Sequence, residues 1–425
     1  MSETATTLSL NRGAKPVIAY CLFDFANSAF TTIVVTFVFA TYFAQAVAIT
    51  PEVGVGQWSL AMSAAGIVIA ILSPFAGAIA DQTGRRKAWI FVLSVMCVAA
   101  TAALWLVRPD PQDTRLALAL VVIATIGFEM GMLFYNSLLP TIVPPERIGR
   151  LSGWAWGVGY MGGLVALMIA LFGLVQASPA PFGLGGIPAG PVRATSVLVA
   201  LWFVVFATPL FLFVREPRHA PFVKGAIVTR GLRQVADSIA HARKHRNVFR
   251  YLIAGMIYSD AVSTIFTLGG VYAGVTFGLK TDQIILLGIA LNVTAGAGAF
   301  LGGWADDRLG PKRTISLSLI ALIVTASATV LAQTVTQFWI AALCMSTFFG
   351  PVQAASRTLM ARLAPEDIRT EMFGLFALSG KVTAFVGPAV VGWVTLATGS
   401  TRIGMATVVI FLLIGLLLLR RVKES

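Results

Sequence analysis

Gly77–Lys87 reads GAIADQTGRRK and Gly303–Arg313 reads GWADDRLGPKR. In each stretch a Gly is followed by an Asp (Asp81, Asp307), a second Gly (Gly84, Gly310) and paired bases (Arg86 and Lys87; Lys312 and Arg313), all at the same spacing. Each copy closes one long apolar run and precedes another. Glycine permits a tight reversal, and bases on the turn hold it at one water-facing side of a bilayer. A single copy would pass for an ordinary polar turn between membrane helices. Two copies, about 226 residues apart, argue for two halves built alike. Gly77, Asp81, Gly84, Arg86, Gly303, Asp307, Gly310, Lys312 and Arg313 are therefore candidate gating residues, with Asp81 and Asp307 expected to help latch one side closed.

Composition agrees with lipid as the surrounding solvent. The 425-residue chain is 57% hydrophobic and 12% charged, with a mean hydropathy of +0.85, too little polar surface to clothe a water-soluble globule of this size. The net charge of +13 does not argue for a nucleic-acid partner, because the bases sit in short connections between apolar runs. Cys21, Cys97 and Cys344 stand singly inside apolar runs without metal or redox spacing, and read as small packing residues. The polar first fifteen residues and the long run after Pro16 do not resemble a cleavable signal.

Runs near the roughly 20 residues needed to cross a bilayer fall at 17–48, 57–80, 88–107, 115–140, 150–175, 194–214, 248–277, 281–305, 314–333, 337–361, 370–397 and 402–420. The reading is an all-α membrane protein of twelve transmembrane helices in two six-helix, pseudo-symmetric bundles: 1–214, a basic cytoplasmic linker at 215–247, and 248–425. Connections on one side carry about 24 Lys and Arg and those on the other about five, which puts both termini in the cytoplasm. Within the linker, Leu232, Val235 and Ile239 recur at helical spacing against Arg230, Arg233, Arg243 and Lys244. A helix lying on an anionic leaflet and a flexible basic linker fit this equally. Gly183–Gly190 lacks the strand-and-helix frame of a phosphate loop and reads as a turn. A second echo joins Pro145-Glu146-Arg147-Ile148 before the fifth span to Pro365-Glu366-Asp367-Ile368 before the eleventh, as suits a helix first turn.

Ionisable groups inside spans are costly and usually face a cavity or a partner. Asp24, Glu129, Asp260, Arg357 and Lys381 are such groups. Asp24 and Asp260 occupy corresponding places, each followed at the same spacing by a hydroxyl and a Phe (Ser28 and Phe30; Thr264 and Phe266). Asn27, Asn136, Ser137, Asn292 and Gln353 add neutral hydrogen-bonding groups at similar depth. Phe25, Tyr135, Trp154, Trp156, Tyr160 and Tyr258 supply aromatic surface. Asp24 also reads as a brace for its helix, Glu129 as half of an ion pair and Arg357 as a snorkelling cation. A carboxylate beside Lys381 or Arg357 would exchange a proton as its surroundings change between dry and wet. Glycines 153, 157, 159, 162 and 163 in the fifth span, 288, 296, 298 and 302 in the eighth, and 374, 380, 387 and 392 in the eleventh provide small faces that pack closely or slide.

Two six-helix halves with the Gly-Asp-Gly-basic turn in each resemble the major facilitator superfamily, over essentially the whole chain. Phe23-Asp24-Phe25-Ala26-Asn27-Ser28-Ala29-Phe30, Tyr135-Asn136-Ser137-Leu138-Leu139-Pro140, Tyr258-Ser259-Asp260 with Thr264, Gln353 followed by Ser356-Arg357, and Glu371-Met372-Phe373-Gly374-Leu375 followed by Ser379-Gly380-Lys381 resemble the branch of the fungal autophagy-related vacuolar amino-acid effluxer and its bacterial relatives. Ser259 departs from the branch's usual Asn, and Met372 from its frequent Phe. The resemblance implies alternating access around a central site for an amino acid or similar small solute.

The expected function is then secondary transport of a small polar or zwitterionic solute, with a coupling proton or the solute's own gradient as driving force. The expected substrate-binding set is Asp24, Asn27, Glu129, Tyr135, Asn136, Trp156, Asp260, Thr264, Asn292, Gln353, Arg357 and Lys381. Within it Asp24, Glu129 and Asp260 are the candidate proton carriers, and Lys381 and Arg357 the anchors for an anionic group. The alternative is a lipid or amphiphile translocase of the same fold, for which the aromatic wall would form a lateral groove. An enzyme is not expected: His219, His241 and His245 all lie in the linker, and no nucleophile motif, metal-ligand set or phosphate loop is present. No cofactor is expected. The expected partners are the small-molecule substrate and membrane lipid, for a monomer in a bacterial inner membrane.

Overall fold

The computed structural model describes residues 13–83, 86–143, 148–216, 240–364 and 369–423. Within these, the side chains of 74–83, 140, 148–150, 152–153, 300–301, 303–304, 307, 361, 369–371, 373–374, 377 and 381 are not described. Gly84, Arg230 to Ile239 of the linker, and the entries at 145–147 and 365–368 therefore lie outside the described residues. So do the side chains at Gly77, Asp81, Gly303, Asp307 and Lys381.

Every regular element among the described residues is a helix. α1 runs from Ala14 to Ala29 and continues to Val47 through wide π-type turns at Phe30–Phe37 and Phe43–Val47. There follow α2 (Pro51–Thr83), α3 (Arg86–Ala103), α4 (Thr114–Ile142), α5 (Ile148–Ala170), α6 (Gly190–Phe213), α7 (Arg246–Phe277), α8 (Thr281–Leu309) and α9 (Pro311–Leu331). The tenth span is two segments, α10a (Val335–Ser346) and α10b (Phe349–Leu363), and so is the eleventh, α11a (Arg369–Val382) and α11b (Val386–Thr398). α12 (Thr401–Arg420) closes the chain. Among the described residues, eleven helices are long and apolar enough to cross a bilayer, and Val386–Thr398 is a shorter apolar helix. The architecture is the all-α, twelve-helix membrane fold expected from the hydropathy pattern, with the eleventh span broken where a continuous helix was expected.

Local chemistry explains the ends. Pro311 begins α9 where a missing N–H is harmless, and Gly310 turns the chain at φ 82°, a conformation that favours glycine. Thr334 and Gln337 exchange reciprocal bonds of 3.2 Å at the start of α10a, a capping box. The bases of the first turn do more than mark a membrane side. The Lys87 ammonium donates to the carbonyls of Phe211 (2.8 Å) and Val214 (2.5 Å) at the C-terminal end of α6. In return, the Lys87 backbone N–H donates to Glu216 Oε1 at 2.9 Å. Two helix ends with opposite dipoles are thus satisfied by one crossed pair.

Contacts divide the chain into two compact units, Met1–Val47 with Ile71–Leu232, and Ala48–Ala70 with Arg233–Ser425. The first part of α2 thus groups with the second unit, where Gly56 meets Leu396, Ser59 meets Gly392 and Gly66 meets Phe385. In the first unit α5 lies on α1 so closely that a Cβ at Gly162 would stand 2.8 Å from Phe25 Cα.

Candidate functional site

In the first unit, the site forms on α1 and α4. Tyr135 is 1% exposed, and its hydroxyl lies 2.9 Å from the Tyr20 carbonyl and 3.0 Å from Asp24 Oδ2. Its ring is stacked between Tyr20 (centroids 4.2 Å apart) and Phe23 (4.7 Å). Asn27 donates through Nδ2 to Asp24 Oδ1 at 3.2 Å and lies 3.1 Å from the Met132 sulfur. Trp202 Nε1 of α6 donates to the Phe25 carbonyl at 3.0 Å, with its ring stacked on Phe25. Gly159 of α5 brings its backbone to Asp24 and Ser28: a Cβ there would lie 3.0 Å from Ser28 Oγ. Each Asp24 oxygen therefore accepts from a neutral donor, and aromatic rings fix the geometry.

In the second unit, the site forms on α7 and α11b. Asp260 is 2% exposed. Its Oδ2 accepts the Gly387 backbone N–H at 2.8 Å, while Oδ1 is buried and accepts no hydrogen bond among the described residues. The donor belongs to the first turn of α11b, which begins after a bend and turn at Thr383–Phe385 interrupt the helix. Free N–H groups and the positive end of a helix dipole suit a carboxylate. Nearby, the Tyr258 hydroxyl lies 2.7 Å from Ser356 Oγ, and Tyr251 donates to the Ser356 carbonyl at 2.6 Å, tying α7 to α10b.

The two Asp residues share one local device. Ser28 Oγ donates to the Asp24 carbonyl at 2.8 Å, and Thr264 Oγ1 to the Asp260 carbonyl, also at 2.8 Å. The equal spacing read from the sequence is an equal hydrogen bond in the folded chain. Their surroundings differ: side chains hold Asp24, and the backbone of an interrupted helix holds Asp260.

The other candidates spread more widely. Glu129 and Gln353 are half-buried, whereas Asn136 and Arg357 are exposed. Asn292 donates back to the Gly288 carbonyl of its own helix at 2.8 Å. Trp156 is 49% exposed and Tyr160 44%, with ring centroids 5.9 Å apart. Of the expected binding set, the structure joins Asp24, Asn27 and Tyr135 in one unit, and Asp260 and Thr264 in the other.

Sequence reading missed two cations, Arg193, which is buried, and Arg402, which is half-buried. Arg193, 7% exposed, donates from Nε to the Trp105 carbonyl at 3.0 Å, with Nη2 also on that carbonyl, and from Nη1 to the Pro188 carbonyl at 3.2 Å. Arg402 donates from Nη1 to the Val330 (2.7 Å) and Ala332 (2.5 Å) carbonyls. Each guanidinium also covers an aromatic ring, Trp105 at 4.7 Å and Phe277 at 5.0 Å. Each Arg opens the last helix of its half and caps the third. Their equal placement in α6 and α12 was the available signal.

The family model described as vacuole effluxer Atg22 like matches residues 47–148 and 143–425. The chain belongs to the Atg22-like family. The family is a branch of the major facilitator superfamily, and this member is an integral membrane transporter. The uncharacterized MFS-type transporter YxiO of Bacillus subtilis is 26% identical over 98% of this chain and 96% of its own length. Autophagy-related protein 22 of Cryptococcus neoformans is 23% identical over 64% of this chain; the chain spans about half (52%) of that fungal relative's length. Among solved structures, a bacterial homologue of the human lysosomal transporter Spinster aligns at a TM-score of 0.68 and 16% identity, covering 99% of this chain and 98% of that one. A D-xylose-proton symporter aligns at 0.71 and 13% identity, covering 96% and 98%. These structural likenesses establish the fold of this Atg22-like protein.

Proposed function

We propose that this Atg22-like transporter moves a small polar or zwitterionic, amino-acid-like solute by alternating access, coupled to a proton. The observation that carries the reading is the duplicated Asp device: each half sets one carboxylate within a span, half-buried at Asp24 and buried at Asp260, with its backbone carbonyl bonded by the hydroxyl one turn later. Intramembrane carboxylates mark solute and proton pathways in transporters, and an interrupted helix ending at such a group is a recurrent feature of transporter sites. The sequence motifs' resemblance to the branch of the fungal vacuolar amino-acid effluxer makes an amino-acid-like cargo the first to test.

In this reading Asp24, Glu129 and Asp260 carry the proton, Asn27, Tyr135, Asn136, Trp156, Thr264, Asn292 and Gln353 contact solute, and Arg357 and Lys381 hold its anionic group. The duplicated turns at Gly77–Lys87 and Gly303–Arg313 gate one side. The chain works as a monomer in a bacterial inner membrane with both termini in the cytoplasm, its halves divided at the 215–247 linker.

The test is uptake into proteoliposomes of labelled amino acids, short peptides and organic acids with and without a pH gradient. Asp260→Asn is expected to bind solute and lose pH-gradient-driven uptake; gradient-driven uptake equal to wild type removes Asp260 from coupling. The half-exposed Trp156 and Tyr160 favour lipid or amphiphile movement as the second reading. A fluorescent-lipid flip assay in the same vesicles separates the two.

A further inference from the structure

The connection between α5 and α6 stands apart from its neighbours. No charged residue occurs from Leu151 to Val192, and from Gln176 to Ala189 the polar side chains are Gln176 and Ser178. The connection between α3 and α4, by contrast, carries Arg108, Asp110 and Asp113, with Arg108 and Asp113 paired at 3.1 Å.

The uncharged loop has a defined shape. Leu184 is 7% exposed, its carbonyl accepts from Ile187 N–H at 3.1 Å, and the Ile187 carbonyl accepts from Gly190 N–H at 2.8 Å. Gly190 passes so close to the Leu184 carbonyl that a side chain there would collide. Arg193 ties Pro188 to Trp105, fastening the loop to the end of α3. Of the candidate spans, α3 is the least covered by protein, 28% buried, so the loop is moored on a flank that lipid must cover.

On this frame Phe182 adopts φ 55° and ψ 24° and is 93% exposed. A left-handed conformation is unfavourable for an aromatic residue, and exposing the ring to water forfeits its burial. The loop thus holds outward the group that water favours least. Phe172 (64% exposed) and Leu106 (59% exposed) continue the apolar surface at the ends of α5 and α3.

We propose that the 176–189 loop is a membrane-interface anchor that inserts Phe182 among the lipid headgroups and upper acyl chains. Phe is among the side chains that bury at the headgroup–acyl boundary, and the absence of charge from the loop removes the group that would resist entry. Lipid burial of the ring offsets the unfavourable backbone at Phe182. The anchor fixes the ends of α3, α5 and α6 relative to the bilayer surface.

The test labels Phe182→Cys with an environment-sensitive fluorophore in full-length protein whose Cys21, Cys97 and Cys344 are replaced, reconstituted in phosphatidylcholine–phosphatidylglycerol vesicles. Phe182 makes so little contact with the protein that its replacement leaves the fold. Gln112→Cys, exposed in the charged α3–α4 connection, is the water-facing control. The expected result is blue-shifted emission at 182 and at least twofold quenching by lipids carrying a nitroxide high on the acyl chain. Emission and iodide quenching equal to position 112 would overturn the proposal. So would blue-shifted emission untouched by nitroxide lipid, which would place the ring against protein.

Discussion

The N–H of Gly387 donates to Oδ2 of Asp260 at 2.8 Å, so a carboxylate on α7 holds the first turn of α11b where the eleventh span is interrupted. The contact leaves no room. A Cβ at position 387 would collide with Thr264 Oγ1 and lie 3.2 Å from both Asp260 oxygens. Phe385, at the interruption, packs against Gly66 of α2, so displacing this turn disturbs a second helix as well. Gly387→Ala is expected to lower the melting temperature in detergent by roughly 1–3 °C, a loss of about 1–3 kcal/mol, and to reduce solute uptake at least tenfold. Thr264→Ala in the same chain removes the colliding hydroxyl and restores most of the stability. A Gly387→Ala single variant as stable as wild type would refute the close contact.

Tyr135 guards Asp24. Its hydroxyl stands between the Tyr20 carbonyl and Asp24 Oδ2, and its ring is held by Tyr20 and Phe23. Tyr135→Phe keeps the stack and removes the hydroxyl. Hydrogen bonds between membrane helices contribute about 0.6 kcal/mol on average, so the expected loss of stability is small. The expected chemical change is larger: a hydrophobic carbodiimide should modify Asp24 several-fold faster in Tyr135→Phe than in wild type, measured by mass spectrometry. Equal rates would show that the tyrosine does not control access.

Much of this was legible in the sequence because lipid leaves a chain few choices. A span must be a helix, since an unpaired backbone group has no water to bond, so apolar length gave the architecture. Duplication gave the Asp pair, since Asp24 and Ser28 match Asp260 and Thr264 in spacing. The break at Thr383–Phe385 was not legible: residues 370–397 are long and apolar enough for one helix, and the interruption is stabilised by Asp260, more than a hundred residues away. Nor were the roles of Arg193 and Arg402. Counted by side, they were loop charges; their carbonyl partners at Trp105, Val330 and Ala332 are set by packing of the third helix of each half against the last. Lys87 was legible as a base at a turn, and its hold on the α6 terminus was not.

Arg193 and Arg402 supply the third prediction. Each bonds carbonyls at a helix end and lies over an aromatic ring, and the planar fork of arginine suits both tasks better than an ammonium. Hydrogen bonds to a charged donor contribute about 1.5–3 kcal/mol. Arg193→Ala and Arg402→Ala are each expected to lower the melting temperature by roughly 3–6 °C, with Lys at either position recovering less than half. Because the two sit in separate compact units, the double variant should show the sum of the single losses. A double variant no worse than either single would contradict independent clamps.

The crossed pair at Lys87 and Glu216 predicts a dependence on pH. Burial pushes the Glu216 carboxyl above its usual range, against the lowering effects of the Lys87 N–H and of the Lys87 and Arg86 charges. A raised folded-state value means that the native chain binds this proton more tightly than the unfolded chain. Its stabilising contribution is therefore fully present below the unfolded value, about 4.3 for glutamate, and is lost as pH rises through the folded value. The melting-temperature difference between wild type and Glu216→Gln should shift in favour of wild type as pH falls from 7 toward 4.5. The slope should reverse if the Lys87 ammonium, rather than burial, dominates. Lys87→Met separates these effects: it leaves the Phe211 and Val214 carbonyls without their donor, and its loss of roughly 1–2 kcal/mol should persist at every pH in the series.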